Sequence, residues 1–187
     1  MRAVPLFVFA YGSLIFRPSR FFGARRPALV RGVRRAFRQA SPDHRGTPSD
    51  PGRVVTLLRE EGATCAGVVY EVADADVDAV LVELDDRESG GYERARLSAE
   101  VPGEAAPVPA LTWIAGPDNP HHMPPAPLAE VARVVLRARG QSGANIDYVL
   151  RLADALRGLG VSDPEVFALE AAVLAGVPSR VEAAPDR

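Results

Sequence analysis

The chain contains no lysine. All 22 basic residues among its 187 are arginine, it has a single cysteine and a single tryptophan, and its only histidines are His44, His121 and His122. Each scarcity removes a class of chemistry. Without lysine no Gly-x-x-x-x-Gly-Lys phosphate loop can be written. One cysteine allows no intrachain disulfide, and Cys65, inside the apolar run Thr64–Val72, reads as a buried, inert thiol. No His-x-x-x-His or Cys-x-x-Cys spacing exists, and the adjacent pair His121-His122 points its rings in different directions, so neither a metal nor any other cofactor is expected. Gly12-Ser13 lacks the Gly-x-Ser-x-Gly frame of a nucleophile elbow.

Charge and hydropathy narrow the field further. The net charge is −2, which favours neither nucleic acid nor a membrane surface. No apolar stretch approaches the roughly 20 residues that span a bilayer. The opening MRAVPLFVFAYGS mimics a signal peptide faintly, but its apolar run is short and Tyr-Gly-Ser reads better as a strand turning into a loop. A cytoplasmic protein is the expectation. At 187 residues and 47% hydrophobic content, the chain can bury a core without a staple. It reads as one domain over residues 1–176 and a Pro-, Ala- and charge-rich tail over 177–187, expected to be disordered.

The first two-thirds of the chain read mostly as strands: Leu6–Tyr11, Ala28–Gln39, Arg53–Leu58, Cys65–Val72, Tyr92–Val101 and Val108–Ile114. One helix interrupts them. Over Asp74–Glu88, Val77, Val80, Leu81 and Leu84 form a single apolar stripe, Asp74 can cap the first turn, and Gly90-Gly91 break the end. The last third is helical. Pro127 suits a first helical position and Gly140 a stop; Asn145 can cap Ile146–Leu159; Asp163-Pro164 starts a helix that Gly176 ends. Two Pro-rich segments, Ala40–Pro51 and Gly116–Pro127, are too long for tight hairpins, and long ordered loops are disproportionately functional.

Two motifs remain that can carry chemistry. Tyr11-Gly12-Ser13-Leu14 follows a buried strand, and its glycine lets a ligand approach backbone N–H groups closely. Glu88-Ser89-Gly90-Gly91-Tyr92 sets a carboxylate at a helix C-terminus, where the dipole disfavours an anion and raises its pKa toward useful acid/base values. Taken alone, such a glutamate is more often a solvated helix-end residue, and Asp85, Asp86 and Arg87 offer ordinary ion pairs beside it.

Phe9-Ala10-Tyr11-Gly12-Ser13-Leu14-Ile15 resembles the opening strand and loop of the γ-glutamylcyclotransferase superfamily. Asp43-His44-Arg45-Gly46-Thr47-Pro48, then Pro51-Gly52-Arg53-Val54-Val55-Thr56-Leu57, resembles its glutathione-specific ChaC branch. The likeness continues in order through Arg87-Glu88-Ser89-Gly90-Gly91-Tyr92, Pro117-Asp118-Asn119-Pro120, Ser142-Gly143 with Asn145 and Tyr148, and Phe167-Ala168-Leu169-Glu170. It implies an α+β fold, a small mixed β-barrel flanked by helices with a helical C-terminal third. It also implies that Glu88 is the catalytic acid/base and that Val8, Phe9, Ala10, Tyr11, Gly12, Ser13 and Leu14 hold the γ-glutamyl group, with Tyr148 either core or a hydroxyl lining the site. The sequence departs from the pattern at Ala10, at Gln39-Ala40-Ser41-Pro42 and at His121-His122-Met123-Pro124.

The reaction so implied needs no enzyme nucleophile. The substrate's own α-amine attacks its γ-carbonyl, and well-oriented intramolecular reactions reach effective molarities of roughly 10⁵–10⁸ M. Glutathione would give 5-oxoproline and Cys-Gly. Arg45 or Arg53 could add charge for a carboxylate, and both Pro-rich loops are expected to read the Cys-Gly half. Two alternatives stay open: other γ-glutamyl amino acids or amines as substrates, or a silent small-ligand binding module that keeps the fold.

Overall fold

The computed structural model describes residues 5–176; the expected tail, 177–187, lies outside them. Five strands form a closed barrel: β1 (Leu6–Ala10), β2 (Phe22–Ser41), β3 (Gly52–Val72), β4 (Glu93–Glu100) and β5 (Val108–Ile114). Their order is β1-β3-β2-β4-β5. Every pairing is antiparallel except the one that closes the barrel, β5 against β1. Closure leaves no free edge. Both faces of β1 are buried, which is why it reads as an unbroken apolar run rather than an alternation.

The two expected strands Arg53–Leu58 and Cys65–Val72 are one strand, β3. Arg59–Gly62 between them are exposed, and the β2–β3 register shifts there, between Arg31 and Val33. Gly32 and Gly62 take φ of +75° and +77° at this irregularity, a conformation that favours glycine. The polar residues of a bulge carry no period-2 signal, so pattern alone splits the strand.

α1 (Val77–Arg87) connects β3 to β4, preceded by a single 3₁₀ turn, Asp74–Asp76. Asp74 does not cap it; Asp76 occupies the cap position and makes no side-chain bond. The C-terminal third holds α2 (Leu128–Arg137), α3 (Asn145–Gly158) and α4 (Pro164–Gly176), whose buried faces (Val131, Val135, Leu152, Leu156, Leu169, Val173) join the barrel core. Asp163 caps α4 as expected, accepting from the Val166 N–H at 3.0 Å. Pro127 stands just before its helix rather than in its first turn.

Asn145 corrects the expectation more deeply. It is the first residue of α3 but caps nothing. Its amide, fully buried, accepts from the Arg53 N–H at 2.6 Å and donates to the Arg53 carbonyl at 2.9 Å. It stands in for a peptide group at the start of β3, where no strand is available. Gly140 likewise does more than end a helix, since a Cβ there would lie 2.3 Å from the Asp43 carbonyl. It admits the loop that follows β2.

Arg35 ties barrel to helices. Buried on β2, it donates to the carbonyls of Tyr11 (2.6 Å) and Ala66 (2.5 Å) and pairs with Asp163. A buried charge needs this full set of partners, and the set fixes where the loop after β1 begins.

Candidate active site

α1 packs through the stripe Val77, Val80, Leu81, Leu84, with Val80 and Leu84 fully buried. Three and four residues beyond Leu84 lie Arg87 and Glu88, so the inward face ends in a cation and a carboxylate. Glu88 takes the C-cap position, its N–H bonded to the Leu84 carbonyl at 2.9 Å. Its side chain is 17% exposed, and among the described residues no group donates a hydrogen bond to it; the nearest cation is Arg87 Nε, 3.8 Å away. Burial pushes its pKa up from the ordinary value, and Arg87 pulls it back.

Glu88 faces a cavity of about 620 Å³. The opposite wall is the segment after β1. Phe9, Ala10, Tyr11, Gly12, Ser13 and Leu14 all line it. Val8 does not: its side chain has no exposed surface and lies in the barrel core, as strand alternation requires of a neighbour of Phe9. Beyond Gly12 the chain makes one 3₁₀ turn, Ser13–Ile15. The N–H groups of Gly12, Ser13 and Leu14 precede its first bond and have no acceptor among the described residues. A Cβ on Gly12 would stand 3.1 Å from Val55 Cγ2 and 3.3 Å from the Tyr148 hydroxyl.

Three tyrosines surround the carboxylate. Tyr11 donates to the Trp113 carbonyl at 2.7 Å and Tyr92 to the Val55 carbonyl at 2.8 Å. Tyr148 accepts from the Val55 N–H at 3.3 Å, and its own proton has no acceptor among the described residues. Burial raises all three pKa values, so all three stay protonated donors, and Tyr148 alone retains a proton to offer. The structure thus makes Tyr148 both core and cavity wall. Its ring is held edge-on by Phe16 and Phe37, with the Arg45 guanidinium over its face.

The two Pro-rich loops part company. The first sends Ala40 through Arg45 onto the cavity wall, where His44 Nδ1 meets Ser142 Oγ at 2.9 Å. Arg45 is buried there and donates to the Ala144 carbonyl. The second lines none of it, which corrects the expectation that it reads substrate. It runs beside β2 instead, through Ala40 N–H to the His121 carbonyl and Met123 N–H to the Arg38 carbonyl, both 2.8 Å. Arg53 also lies off the cavity, bonded to the carbonyls of Phe37 and Pro124. Cys65 is buried, its thiol pushed up to about 11 by that burial, and it does not reach the cavity either.

Sequence reasoning missed one residue of consequence. Arg87 reads from the sequence as an ordinary ion-pair partner, yet it bonds Ser13 and Arg17 across the cavity. The signal was present: extending the apolar stripe by one step places it inward.

A family model described as ChaC-like protein matches residues 6–176. The chain belongs to the ChaC-like family. It is 38% identical over 177 residues to the zebrafish (Danio rerio) glutathione-specific gamma-glutamylcyclotransferase 1, covering 92% of this chain and 90% of the relative. It is also 38% identical over 168 residues to gamma-glutamylcyclotransferase 2-3 of Arabidopsis thaliana, covering 86% of this chain and 84% of the relative. The crystal structure of a yeast gamma-glutamyl cyclotransferase specific to glutathione superposes with a TM-score of 0.86 at 26% identity, over 92% of this chain and 97% of that one. The barrel with its helical C-terminal third is therefore the fold of this family.

Proposed function

We propose that this protein is a γ-glutamylcyclotransferase, a carbon–nitrogen lyase that converts glutathione to 5-oxoproline and Cys-Gly, with Glu88 as the acid/base. The observation that carries the reading is one juxtaposition. A carboxylate with a raised pKa faces, across one cavity, a turn of backbone N–H groups, and among the described residues neither has a hydrogen-bond partner. The zebrafish and yeast proteins named above are called specific for glutathione, which supports that substrate.

The chemistry follows from the groups present. The glutamyl α-ammonium gives a proton to Glu88, and the freed amine attacks the γ-carbonyl carbon. A carbon–nitrogen bond forms, closing a five-membered ring, and the carbonyl oxygen takes up negative charge. N–H groups of Gly12–Leu14 and the Tyr148 hydroxyl are the donors available for that oxygen and for the glutamyl carboxylate. As the bond to the cysteine nitrogen breaks and the carbonyl re-forms, Glu88 returns its proton to the leaving amine; the surplus proton of the ring nitrogen follows by the same carboxylate, so the lactam keeps one N–H and Cys-Gly leaves as an ammonium. One carboxylate completes the cycle unchanged, and such transfer contributes about 10²–10⁴-fold. The Asp43–Arg45 wall takes the Cys-Gly half, with the Arg45 guanidinium offered to its carboxylate. Small-molecule turnover of this kind needs neither nucleic acid nor membrane, and the cytoplasm is where we place it; among the described residues no helix is long and apolar enough to cross a bilayer.

The test is direct. Purified protein incubated with glutathione should release 5-oxoproline and Cys-Gly in equal amounts, read by mass spectrometry. The Arabidopsis relative's name specifies no glutathione, which keeps other γ-glutamyl compounds as the second reading. Turnover of γ-glutamyl amino acids in preference to glutathione would establish that one.

A further inference from the structure

Arg87 joins the two sides of the cavity, the end of α1 and the turn after β1. It leaves the last turn of α1, where a cation also suits the helix dipole. Its Nη2 donates to Ser13 Oγ at 3.1 Å, its Nη1 to the Arg17 carbonyl at 2.9 Å, and its Nε stands 3.8 Å from Glu88 Oε1. Two nitrogens of a planar fork are therefore bonded to the turn after β1, and the third stands within ion-pair range of the carboxylate. We propose that Arg87 is the positioning residue of this site: it locks the turn that holds the glutamyl group to the helix end that carries Glu88 and sets its charge beside that carboxylate.

The proposal rests on the cyclotransferase reading given above and adds to it a residue that acts through two others. Two consequences follow from the geometry. Because Ser13 Oγ accepts from Arg87, its single O–H remains free to donate, so the arginine sets the hydroxyl's direction. Because Arg87 is, among the described residues, the cation whose charge opposes the burial of Glu88, its removal raises the carboxyl's proton affinity. The groups that face Glu88 from the other elements are phenols: Tyr11 just after β1, Tyr92 ahead of β4 and Tyr148 from α3. Glu83, Asp86, Asp43 and Arg17 stand elsewhere on the same cavity wall. The phenols stay neutral, so none of them supplies the charge that Arg87 does. A lysine could restore that charge but not the fork, since an ammonium on a flexible stem cannot hold Ser13 and Arg17 in fixed directions at once.

The experiment compares wild type with Arg87→Gln and Arg87→Lys, each first checked for cooperative unfolding. The Glu88 carboxyl is titrated by carbon-detected NMR, which needs no turnover, and kcat/KM is profiled against pH. In Arg87→Gln the Glu88 midpoint should move up by about one pH unit. The acid limb of kcat/KM should move with it, and the plateau should fall roughly tenfold or more because the turn is unlocked. Arg87→Lys should return the midpoint toward wild type while leaving most of the plateau loss. A Glu88 midpoint identical in wild type and Arg87→Gln overturns the proposal, as does a lysine variant that restores the full rate. Failure of wild type itself to turn over glutathione would count against the proposed function and leave the NMR titration to decide the role of Arg87.

Discussion

The loops 42–51 and 115–127 are both rich in proline, yet they do opposite work. The first is drawn inward. Gly46 and Gly52 pack so closely at its base that a Cβ on Gly46 would lie 2.2 Å from the Gly52 nitrogen, and Gly140 admits it from the other side. Its side chains become the cavity wall. The second lies along the outside of β2 and reaches the site only through an intermediary. Asn119 donates to Gln39 Oε1 at 3.2 Å, and Gln39, fully buried, donates to the Gly90 carbonyl at 2.8 Å, two residues past Glu88. Gly91, at φ +95°, passes against Asn119. Composition marks a loop as important; which strand edge it can pair with decides whether it recognises or supports.

Both roles refer to Glu88, so its removal is the largest expected effect. Glu88→Gln keeps the shape and removes the proton transfer, and kcat should fall about 10²-fold or more, measured as 5-oxoproline release. Near-native turnover would leave the first loop facing nothing and the second bracing nothing.

The next prediction separates the loops by what they read. Arg45→Ala removes the guanidinium of the first loop, and KM for glutathione should rise roughly tenfold, the usual scale for a lost charge-assisted bond. KM for a γ-glutamyl amine without a second carboxylate should hardly change. Equal rises for both would show that Arg45 serves Tyr148 packing and not the Cys-Gly carboxylate.

A smaller effect is expected from the second loop. Asn119→Ala should lower kcat about three- to tenfold by loosening the turn that carries Glu88. Replacing His121–Pro124 with Gly-Ser residues should act in the same direction. Neither should alter the ratio of glutathione to γ-glutamyl amino acid turnover. A changed ratio in either variant would return the second loop to the recognition surface where sequence pattern alone had put it.

That misplacement shows where sequence reading stops. Barrel strands and helices were legible because burial leaves a period: β1 as a continuous run, α1 as a stripe, α4 between Asp163 and Gly176. The turn at Tyr11–Leu14 and the glutamate at the helix end were legible as types, a backbone donor site and a carboxylate disfavoured by a dipole. Three things were not. Val8 adjoins the motif in sequence, but its side chain alternates into the core. Asn145 looks like a helix cap because its type caps helices; its partner, the Arg53 backbone, is distant in sequence. Arg87 sits in an obvious ion-pair cluster whose far partners, Ser13 and the Arg17 carbonyl, only the folded chain brings near. The last two misses are long-range contacts made by residues whose local role looked sufficient.

The smallest expected effect concerns stability, and it gives the carboxylate and the loop that braces it opposite signs. Glu88 has a folded-state pKa raised by burial. The fold therefore favours its protonated form, a contribution present below the unfolded value of about 4.3 and lost as pH rises through the folded value. At pH 7 the ionised carboxylate costs stability, and Glu88→Gln carries no such charge. Its Tm should equal or exceed wild type by up to about 2 °C at pH 7, with the difference closing as pH falls below about 4. Asn119→Ala, in contrast, strips a partner from buried Gln39 and should lose about 1 kcal/mol, or roughly 2–4 °C, at either pH. A protein in which Glu88→Gln is the less stable variant at neutral pH would place the carboxylate in the supporting framework with Asn119, rather than in a site the framework was built to hold.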